Sequence, residues 1–331
     1  MFELNLNTVD RPTAFDTDTL WDLLVVGGGP AGLNAALYAR RKGLQVAVIA
    51  KDFGGQLHNT TDVDNVIGHT LVSGKALADK FLEHVRTLEV PMLHDAMVHA
   101  LTRQRDGFMI ELADGRTLHS KTVLIATGSR PRKLNIEGEV TYANKGVSYC
   151  TTCDAPFFKG KHVLVAGGGN SAAEAVIDLS HYARHITVVH RSQWRADQVL
   201  LDKLATLRNL TVHLETALLA VHGKDVMTGA TVLDKATHTT RQLTADGLFI
   251  EIGTLPISEW VKDLVHRNER GEVVVDENQA TSIPGLYAAG DVTNQPFKQI
   301  IIATAEGAKA ALAITQYLNH KTKENPHAQT I

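Results

Sequence analysis

Two apolar runs along the chain are each followed by a glycine-rich turn and then by an alanine-rich stretch. The first such segment is LLVVGGGPAG at residues 23–32, and the second is VLVAGGGNSA at residues 163–172, 140 residues later. Each apolar run predicts a buried strand, and each alanine-rich stretch predicts a helix. Further apolar runs at 44–50 and 186–189 predict the next parallel strand in each case. The pattern therefore predicts two βαβ units.

Outside the two βαβ units the pattern predicts two further helices and several short strands; within the second unit it places the helix at 171–181. An amphipathic helix is predicted at 74–88, and residues 91–118 predict short strands with a hairpin turn at Asp114-Gly115. The other predicted elements are an edge strand or arm at 1–20, a buried strand at 123–126, turns at 227–229 and 245–247, a strand and loop at 285–291, and a long helix from Lys298.

The duplication of the βαβ unit suggests one domain inserted into another. The outer domain is predicted to comprise residues 21–128 and 252–331, and the inner domain residues 129–251. Residues 1–20 are polar without a clear period and are interpreted as an N-terminal arm. An α/β fold with two nucleotide-binding domains follows from this arrangement.

Composition and charge narrow the function classes. The 331 residues are 44% hydrophobic and 21% charged, with a formal net charge of −3, so nucleic acid and anionic membranes are not expected as partners. No apolar run approaches the ~18 residues of a membrane span. The first twenty residues lack the basic start and apolar block of a secretory signal, so a cytoplasmic location is expected.

The only two cysteines of the chain are Cys150 and Cys153, three positions apart. In a reducing compartment, such a pair more often carries out redox chemistry or binds a metal than forms a structural disulphide. A zinc site would need two more ligands, and the chain has no further cysteine to supply them, so no metal is expected. The stronger alternative to redox chemistry is that the two cysteines are inert thiols. Asp154 supplies a proton donor and acceptor, which dithiol–disulphide exchange requires, whereas Thr151 and Thr152 are interpreted as small polar fillers.

Both glycine turns match the pattern that binds a dinucleotide pyrophosphate at a helix N-terminus. A unit that prefers NAD usually carries an acid about 20 residues further on. In the second unit the strand ends instead at His190-Arg191, with Arg195 just beyond, which favours the 2′-phosphate of NADP. Solvated surface arginines are the alternative, and NADH use stays open. The first unit also lacks the acid, so these residues alone do not name its ligand.

Taken together, these motifs resemble the low-molecular-weight thioredoxin reductases over about residues 21–320. The matching motifs, in chain order, are GGGPAG (27–32), GGQL (54–57), DN (64–65), IATG (125–128), CTTCDAP (150–156), GGGNSAAEA (167–175), LYAAGDV (286–292) and KQIIIATAEGAKAA (298–311). The resemblance implies two Rossmann-like three-layer (ββα) domains, with the NADP domain inserted in the FAD domain. It also implies hinges near 128–130 and 252–254, about which one domain swivels on the other.

The same resemblance implies which residues hold each cofactor. For FAD these are Gly27, Gly29, Pro30, Ala31, Gly32, Gly55, Gln56, Leu57, Asn65, Ala126, Thr127, Gly128, Gly290, Asp291, Gln299 and Ile300, the last two under the flavin ring. For NADPH they are Gly167, Gly169, Asn170, Ser171, Ala172, His190, Arg191 and Arg195. The catalytic residues implied are Cys150, Cys153 and Asp154.

Three departures from this family stand out. Ala155-Pro156 replaces the usual glycine after the CxxC aspartate, and one phosphate-binding arginine is missing after His190-Arg191. In addition, EAVIDL, ADQVLLDKL and KQIIIATAEGAKA resemble the flavoprotein component of alkyl hydroperoxide reductase, which favours NADH. That component carries N-terminal thioredoxin-like domains, for which residues 1–20 are too short.

The resemblance implies a homodimeric thioredoxin-disulphide reductase that moves electrons from NADPH to FAD, then to the Cys150–Cys153 disulphide. The final acceptor would be a thioredoxin-like or glutaredoxin-like dithiol protein. One alternative is a stand-alone hydroperoxide-reductase flavoprotein that feeds a peroxiredoxin through a separate carrier. Another is a ferredoxin–NADP reductase or diaphorase, for which both cysteines would be dispensable; a nucleotide-sensing binding protein would give the CxxC no role.

Overall fold

The computed structural model describes residues 15–60 and 62–324. Most of the predicted N-terminal arm, residues 1–14, lies outside the described residues. By its internal contacts, the described chain divides into two units. The first comprises residues 15–60, Asp62, Val66–Arg130 and the residues from Leu255 onward, and the second comprises Val63–Asn65 and Pro131–Thr254.

The helices and strands follow the chain in this order. Up to the first crossing between units they are β1 (Leu20–Gly28), α1 (Pro30–Arg41), β2 (Val46–Phe53), β3 (Asp62–Val63), β4 (Val72–Ser73), α2 (Gly74–Arg86), β5 (Met92–Leu93), β6 (Val98–Gln104), β7 (Gly107–Leu112), β8 (Thr117–Ile125) and β9 (Ser129–Pro131). In the second unit they are β10 (Val147–Ser148), α3 (Thr151–Asp154), β11 (His162–Ala166), α4 (Asn170–Ser180), β12 (His185–Val189), α5 (Gln198–Ala205), β13 (Leu210–His213), β14 (Thr216–Gly223), β15 (Met227–Asp234), β16 (Thr239–Thr244) and β17 (Gly247–Ile250). After the return crossing come β18 (Thr254–Pro256), β19 (Leu286–Ala288) and α6 (Ile300–Glu324).

The first unit is built on a seven-stranded sheet in the order β5-β2-β1-β8-β7-β6, with β19 also paired to β8. Strands β5, β2, β1, β8 and β19 are parallel, whereas β6, β7 and β8 pair in antiparallel fashion. The hairpin predicted at Asp114-Gly115 is confirmed, because β7 and β8 are joined there. Strand β8 thus serves both the parallel and the antiparallel part of one sheet.

Alternate side chains of β1 enter different cores, which places helices on one face of this sheet. Leu23 and Val25 pack with buried residues of α1 and α6, including Leu33 and Ile314. Leu24 and Val26 pack in a separate cluster on the opposite face. A strand that is apolar at every position is typical of a parallel sheet covered on both faces.

The second unit repeats this layering with its own parallel sheet, β10-β17-β11-β12-β13. Val163 and Val165 of β11 pack against α4 and α5, whereas Leu164 and Ala166 pack against a three-stranded antiparallel sheet, β14-β15-β16. The predicted α/β class with Rossmann-like parallel sheets is confirmed. The turn predicted at 227–229 is wrong, because these residues lie in β15; the antiparallel turns fall at 224–226 and 235–238.

A buried carboxylate organises the irregular segment that precedes the cysteines. The side chain of Glu139 is 1% exposed and accepts hydrogen bonds from the N–H groups of Leu134 (3.1 Å), Asn135 (2.7 Å) and Ile136 (3.4 Å). It also accepts one from the Tyr149 hydroxyl at 2.9 Å. Burial, together with this carboxylate, raises the pKa of the Tyr149 phenol well above its ordinary value, so the phenol stays a donor.

Candidate functional site

The segments predicted to hold FAD leave the first unit's sheet at one edge. The first glycine turn begins at the end of β1, Ala126-Thr127-Gly128 follows β8, and Gly290-Asp291 comes shortly after β19. These three strands are parallel, so their carboxyl ends share that edge. In open α/β sheets, ligands bind outside the carboxyl ends of the strands.

The N-terminus of α1 is open to a ligand. Pro30 begins the helix, Gly29 occupies the capping position, and no side chain caps it; the first turn carries no acidic residue. By contrast, Ser73 caps α2 by accepting a hydrogen bond from the Ala76 N–H at 3.2 Å. Free N–H groups and positive partial charge at a helix start suit a pyrophosphate, so these residues fit a dinucleotide.

Close packing explains the third glycine of this turn. A methyl group on Gly32 would lie 2.0 Å from the Gly27 carbonyl oxygen, and Gly27 itself has a φ of +121°. Gly55, in the short helix Gly55–Asn59 that also contains Gln56 and Leu57, approaches the Gly29 main chain. The turn is therefore packed on its inner side and uncapped at the helix start.

Asp291 places a half-buried carboxylate at this edge. Its carboxylate accepts hydrogen bonds from Gln56 Nε2 at 3.0 Å and Ser129 Oγ at 3.5 Å. Burial raises the pKa of Asp291, and Lys298 nearby opposes that rise. Gln299 and Ile300 stand at the start of α6, where the Gln299 carbonyl accepts from Ala303 N–H at 2.9 Å. Because Lys298 directly precedes these residues and acts on Asp291, the start of α6 lies near this carboxylate.

Asn65 is the one predicted FAD residue that does not belong to the first unit. It is exposed and belongs with Val63–Asn65 to the second unit. Thr127, by contrast, is in the first unit and donates through its hydroxyl to the Ile257 carbonyl at 2.6 Å.

The second glycine turn has the same open helix start. Gly169 occupies the capping position of α4 without a side-chain cap, and a methyl group there would meet nothing within 4 Å. Asn170 and Asp197 form two reciprocal hydrogen bonds of 2.8 Å, which tie the start of α4 to the residue that precedes α5. Ser171 and Ala172 complete the first turn of α4, so this turn also fits a dinucleotide.

Cationic side chains gather where β12 ends. His190 is buried, and burial, reinforced by Arg195 and Arg191, lowers the pKa of its imidazole, which favours the neutral ring. Arg191 and Arg195 are exposed, and neither forms an ion pair within the described part of the chain. Lys235, in the turn between β15 and β16, donates a hydrogen bond through Nζ to the Arg191 carbonyl at 3.2 Å. The sequence pattern did not predict Lys235 here, because 44 residues separate it from Arg191.

Cys150 and Cys153 form a disulphide in the second unit, at the start of α3. Ser148 Oγ accepts a hydrogen bond from the Cys150 N–H at 3.1 Å and donates to Asp154 Oδ2 at 2.6 Å. One serine therefore links the first cysteine to the acid predicted to exchange protons with the pair.

Thr151 is more than the filler that its type suggested. It is buried, whereas Thr152 is exposed, and its hydroxyl donates to Glu251 Oε1 at 2.6 Å. Glu251, which directly follows β17, was not predicted to belong to this site either. A carboxylate 100 residues away gives no signal in a local pattern. The one local signal is the segment FIEIG at 249–253, which places a glutamate directly after an apolar strand.

The sequence matches the pyridine nucleotide-disulphide oxidoreductase family over residues 21–307, and the chain belongs to that family. Membership implies a flavin and a nicotinamide cofactor, and the Cys150–Cys153 disulphide fits a redox-active disulphide. Among the described residues, no helix has the length and apolarity of a membrane span, and no three histidine, cysteine or acidic side chains form a metal cluster.

Two solved thioredoxin reductase structures have the same scaffold as this chain. The thioredoxin reductase from Streptococcus pyogenes MGAS5005 is 36% identical with a TM-score of 0.87, covering 91% of this chain and 99% of that chain. The thioredoxin reductase from Giardia duodenalis is 30% identical with a TM-score of 0.85, over 90% and 99% of the two chains. The resemblance to thioredoxin reductases is thus confirmed.

Among curated proteins, the chain is 44% identical to an alkyl hydroperoxide reductase subunit of Pseudomonas putida and 42% identical to the NADH dehydrogenase of Bacillus subtilis (strain 168). Each match covers 90% of this chain and 58% of the relative. The chain therefore spans less than two thirds of the length of these relatives.

Proposed function

We propose that the protein is an FAD-dependent disulphide reductase that transfers electrons from NADPH to a thioredoxin-like or glutaredoxin-like protein. The observation that carries the proposal is the Cys150–Cys153 disulphide, which shares a unit with the second glycine turn. When bound, the flavin supplies the means to accept hydride from the nicotinamide and to deliver two electrons to sulfur. A homodimer in the cytoplasm, a reducing compartment, suits this role.

The residues of this chain carry the sulfur chemistry. Two electrons and two protons break the Cys150–Cys153 bond and leave two thiols. One thiol loses its proton, and the resulting thiolate attacks the disulphide of the acceptor to form a mixed disulphide. The second thiol then loses its proton and resolves the mixed disulphide; the two protons pass to the two sulfurs of the acceptor, which leaves as a dithiol. In this proposal Asp154, whose carboxylate accepts a hydrogen bond from Ser148, exchanges protons with the pair.

A coupled assay with purified thioredoxin, run separately with NADPH and NADH, tests this proposal. Thioredoxin-dependent release of thiols, faster with NADPH, is the expected result. If the protein shows no thioredoxin-dependent turnover with either nicotinamide, the acceptor assignment fails.

A second function is favoured by the 44% identity to a hydroperoxide reductase component. In that case the acceptor would be a separate carrier protein that passes electrons to a peroxiredoxin. Peroxide-dependent oxidation of nicotinamide, which needs both added proteins and does not need thioredoxin, would select this function over the first.

Arg191→Ala is expected to raise the KM for NADPH about tenfold or more while leaving that for NADH nearly unchanged. A guanidinium can bind a 2′-phosphate in a fork, and no other group of NADPH distinguishes it from NADH. Steady-state rates with both nicotinamides check the prediction.

Arg184→Ala is the matched control. Arg184 is also exposed but precedes β12, whereas Arg191 follows it, so the two arginines stand at opposite ends of one strand. The control should leave both KM values unchanged. Equal losses for NADPH and NADH in Arg191→Ala would show that this side chain does not bind the phosphate.

A further inference from the structure

Glu251 is fixed by its main chain against the second glycine turn. Its N–H donates to the Ala166 carbonyl at 2.8 Å, which extends the pairing of β17 with β11. A methyl group on Gly167 would come within 2.3 Å of the Glu251 carbonyl oxygen. The position of this residue is therefore set by the sheet and does not depend on its side chain.

The side chain of Glu251 reaches the CxxC turn. Oε1 accepts a hydrogen bond from the Thr151 hydroxyl at 2.6 Å and another from the Thr151 N–H at 3.3 Å. Thr151 directly follows Cys150 and is the first residue of α3, which contains Cys153. Two hydrogen bonds thus tie the segment between the cysteines to the central part of the sheet.

Acidic groups surround Glu251 on the elements packed against it. Burial raises the pKa of its carboxyl to about 7, the bonds from Thr151 oppose the rise, and Asp178 and Glu174 on α4 add to it. Asp154 lies at the other end of α3, where Ser148 holds it. Glu251 therefore changes charge near neutral pH.

We propose that Glu251 is a positioning residue for the Cys150–Cys153 pair: by holding Thr151 it keeps the two sulfurs within bonding reach and favours the disulphide over the dithiol. The inference rests on the proposed function only in treating the pair as redox-active. Reduction breaks the sulfur–sulfur bond with two electrons and two protons, and oxidation reverses it. An ionised carboxylate accepts stronger hydrogen bonds than a neutral one, so the disulphide is held more firmly above pH ~7 than below it.

The equilibrium of the pair against dithiothreitol tests this, with alkylation and mass analysis of the flavin-loaded, full-length protein. Glu251→Ala should lower the equilibrium constant for disulphide formation about tenfold, which is ~30 mV for a two-electron couple. Thr151→Val removes the hydroxyl bond and keeps the N–H bond, so it should give a smaller change in the same direction. The double variant should show no more than the change of Glu251→Ala, because that variant already lacks both bonds.

The matched control is Glu174→Ala, which removes a nearby exposed carboxylate that has no hydrogen bond to the CxxC turn within the described residues. It should leave the equilibrium constant unchanged at about pH 8, where Glu251 is ionised with or without Glu174. Glu251→Gln keeps the shape and an acceptor oxygen but cannot ionise, so it should match the wild type at about pH 6 and at about pH 8 lie between the wild type and Glu251→Ala.

An unchanged constant in Glu251→Ala, or effects of the two single variants that add in the double variant, would overturn the inference. If Glu251→Ala does not fold, Thr151→Val and the pH series of Glu251→Gln decide the question alone. No acceptor protein takes part, so the result holds whether or not thioredoxin is the substrate. A wild-type pair that resists reduction altogether would count against the proposed function instead.

Discussion

Cys150→Ser and Cys153→Ser should each abolish reduction of a protein disulphide, by more than about a thousandfold, because a single sulfur cannot store an electron pair as a reversible bond. Reduction of a small dye by NAD(P)H should persist, since the residues that fit the two dinucleotides lie outside the CxxC turn. The measurement is the ratio of the two activities in the same preparation.

Thr152→Ser is the control for these variants, because Thr152 lies between the cysteines but its side chain is exposed. It should retain most of the disulphide-reducing activity. Disulphide reduction that survives in both cysteine variants would favour a ferredoxin–NADP reductase or diaphorase, in which the dithiol has no role.

Gly32→Ala should lower the flavin content of the purified protein about tenfold or more. The added methyl group would lie 2.0 Å from the Gly27 carbonyl oxygen and 3.1 Å from a methyl carbon of Val25. Main-chain atoms cannot move aside as a flexible side chain can, so the glycine turn must shift, at a typical cost of about 1–3 kcal/mol. The ratio of flavin to protein absorbance reports the loss, and the melting temperature should fall with it.

Gly169→Ala makes the same substitution in the second glycine turn, where the methyl group meets nothing within 4 Å and φ is −103°. Flavin content and melting temperature should therefore stay at wild-type values in this variant. Full flavin occupancy in Gly32→Ala would mean that the first turn does not determine flavin binding.

The sequence predicted those parts of the molecule whose signals are local. Each βαβ unit combines an apolar strand, a glycine turn and an alanine-rich helix within about 30 residues, a compact pattern that specifies its own geometry. The CxxC pair is equally local. Helix α1 begins at Pro30, within the glycine turn after which the helix was expected, and α4 begins at Asn170, one residue before the prediction.

Contacts between distant residues could not be predicted in this way. Glu251 and Thr151 are 100 positions apart, and nothing near either residue indicates the other. The error at 227–229 has a related cause. Gly229 suggested a turn, but it pairs with Thr244 inside an antiparallel sheet, and that pairing depends on a strand further along the chain.

Glu139 should control the local opening of the segment at 134–136, which precedes the cysteines. Three successive amide groups, at Leu134, Asn135 and Ile136, depend on one carboxylate, which the Tyr149 hydroxyl holds from the other side. These amides should exchange hydrogen for deuterium in concert, because a single rotation of that side chain frees all three. Removal of the Glu139 carboxylate should speed hydrogen exchange in the segment that precedes Cys150. The amides of the parallel strands in the second unit should keep their protection from exchange.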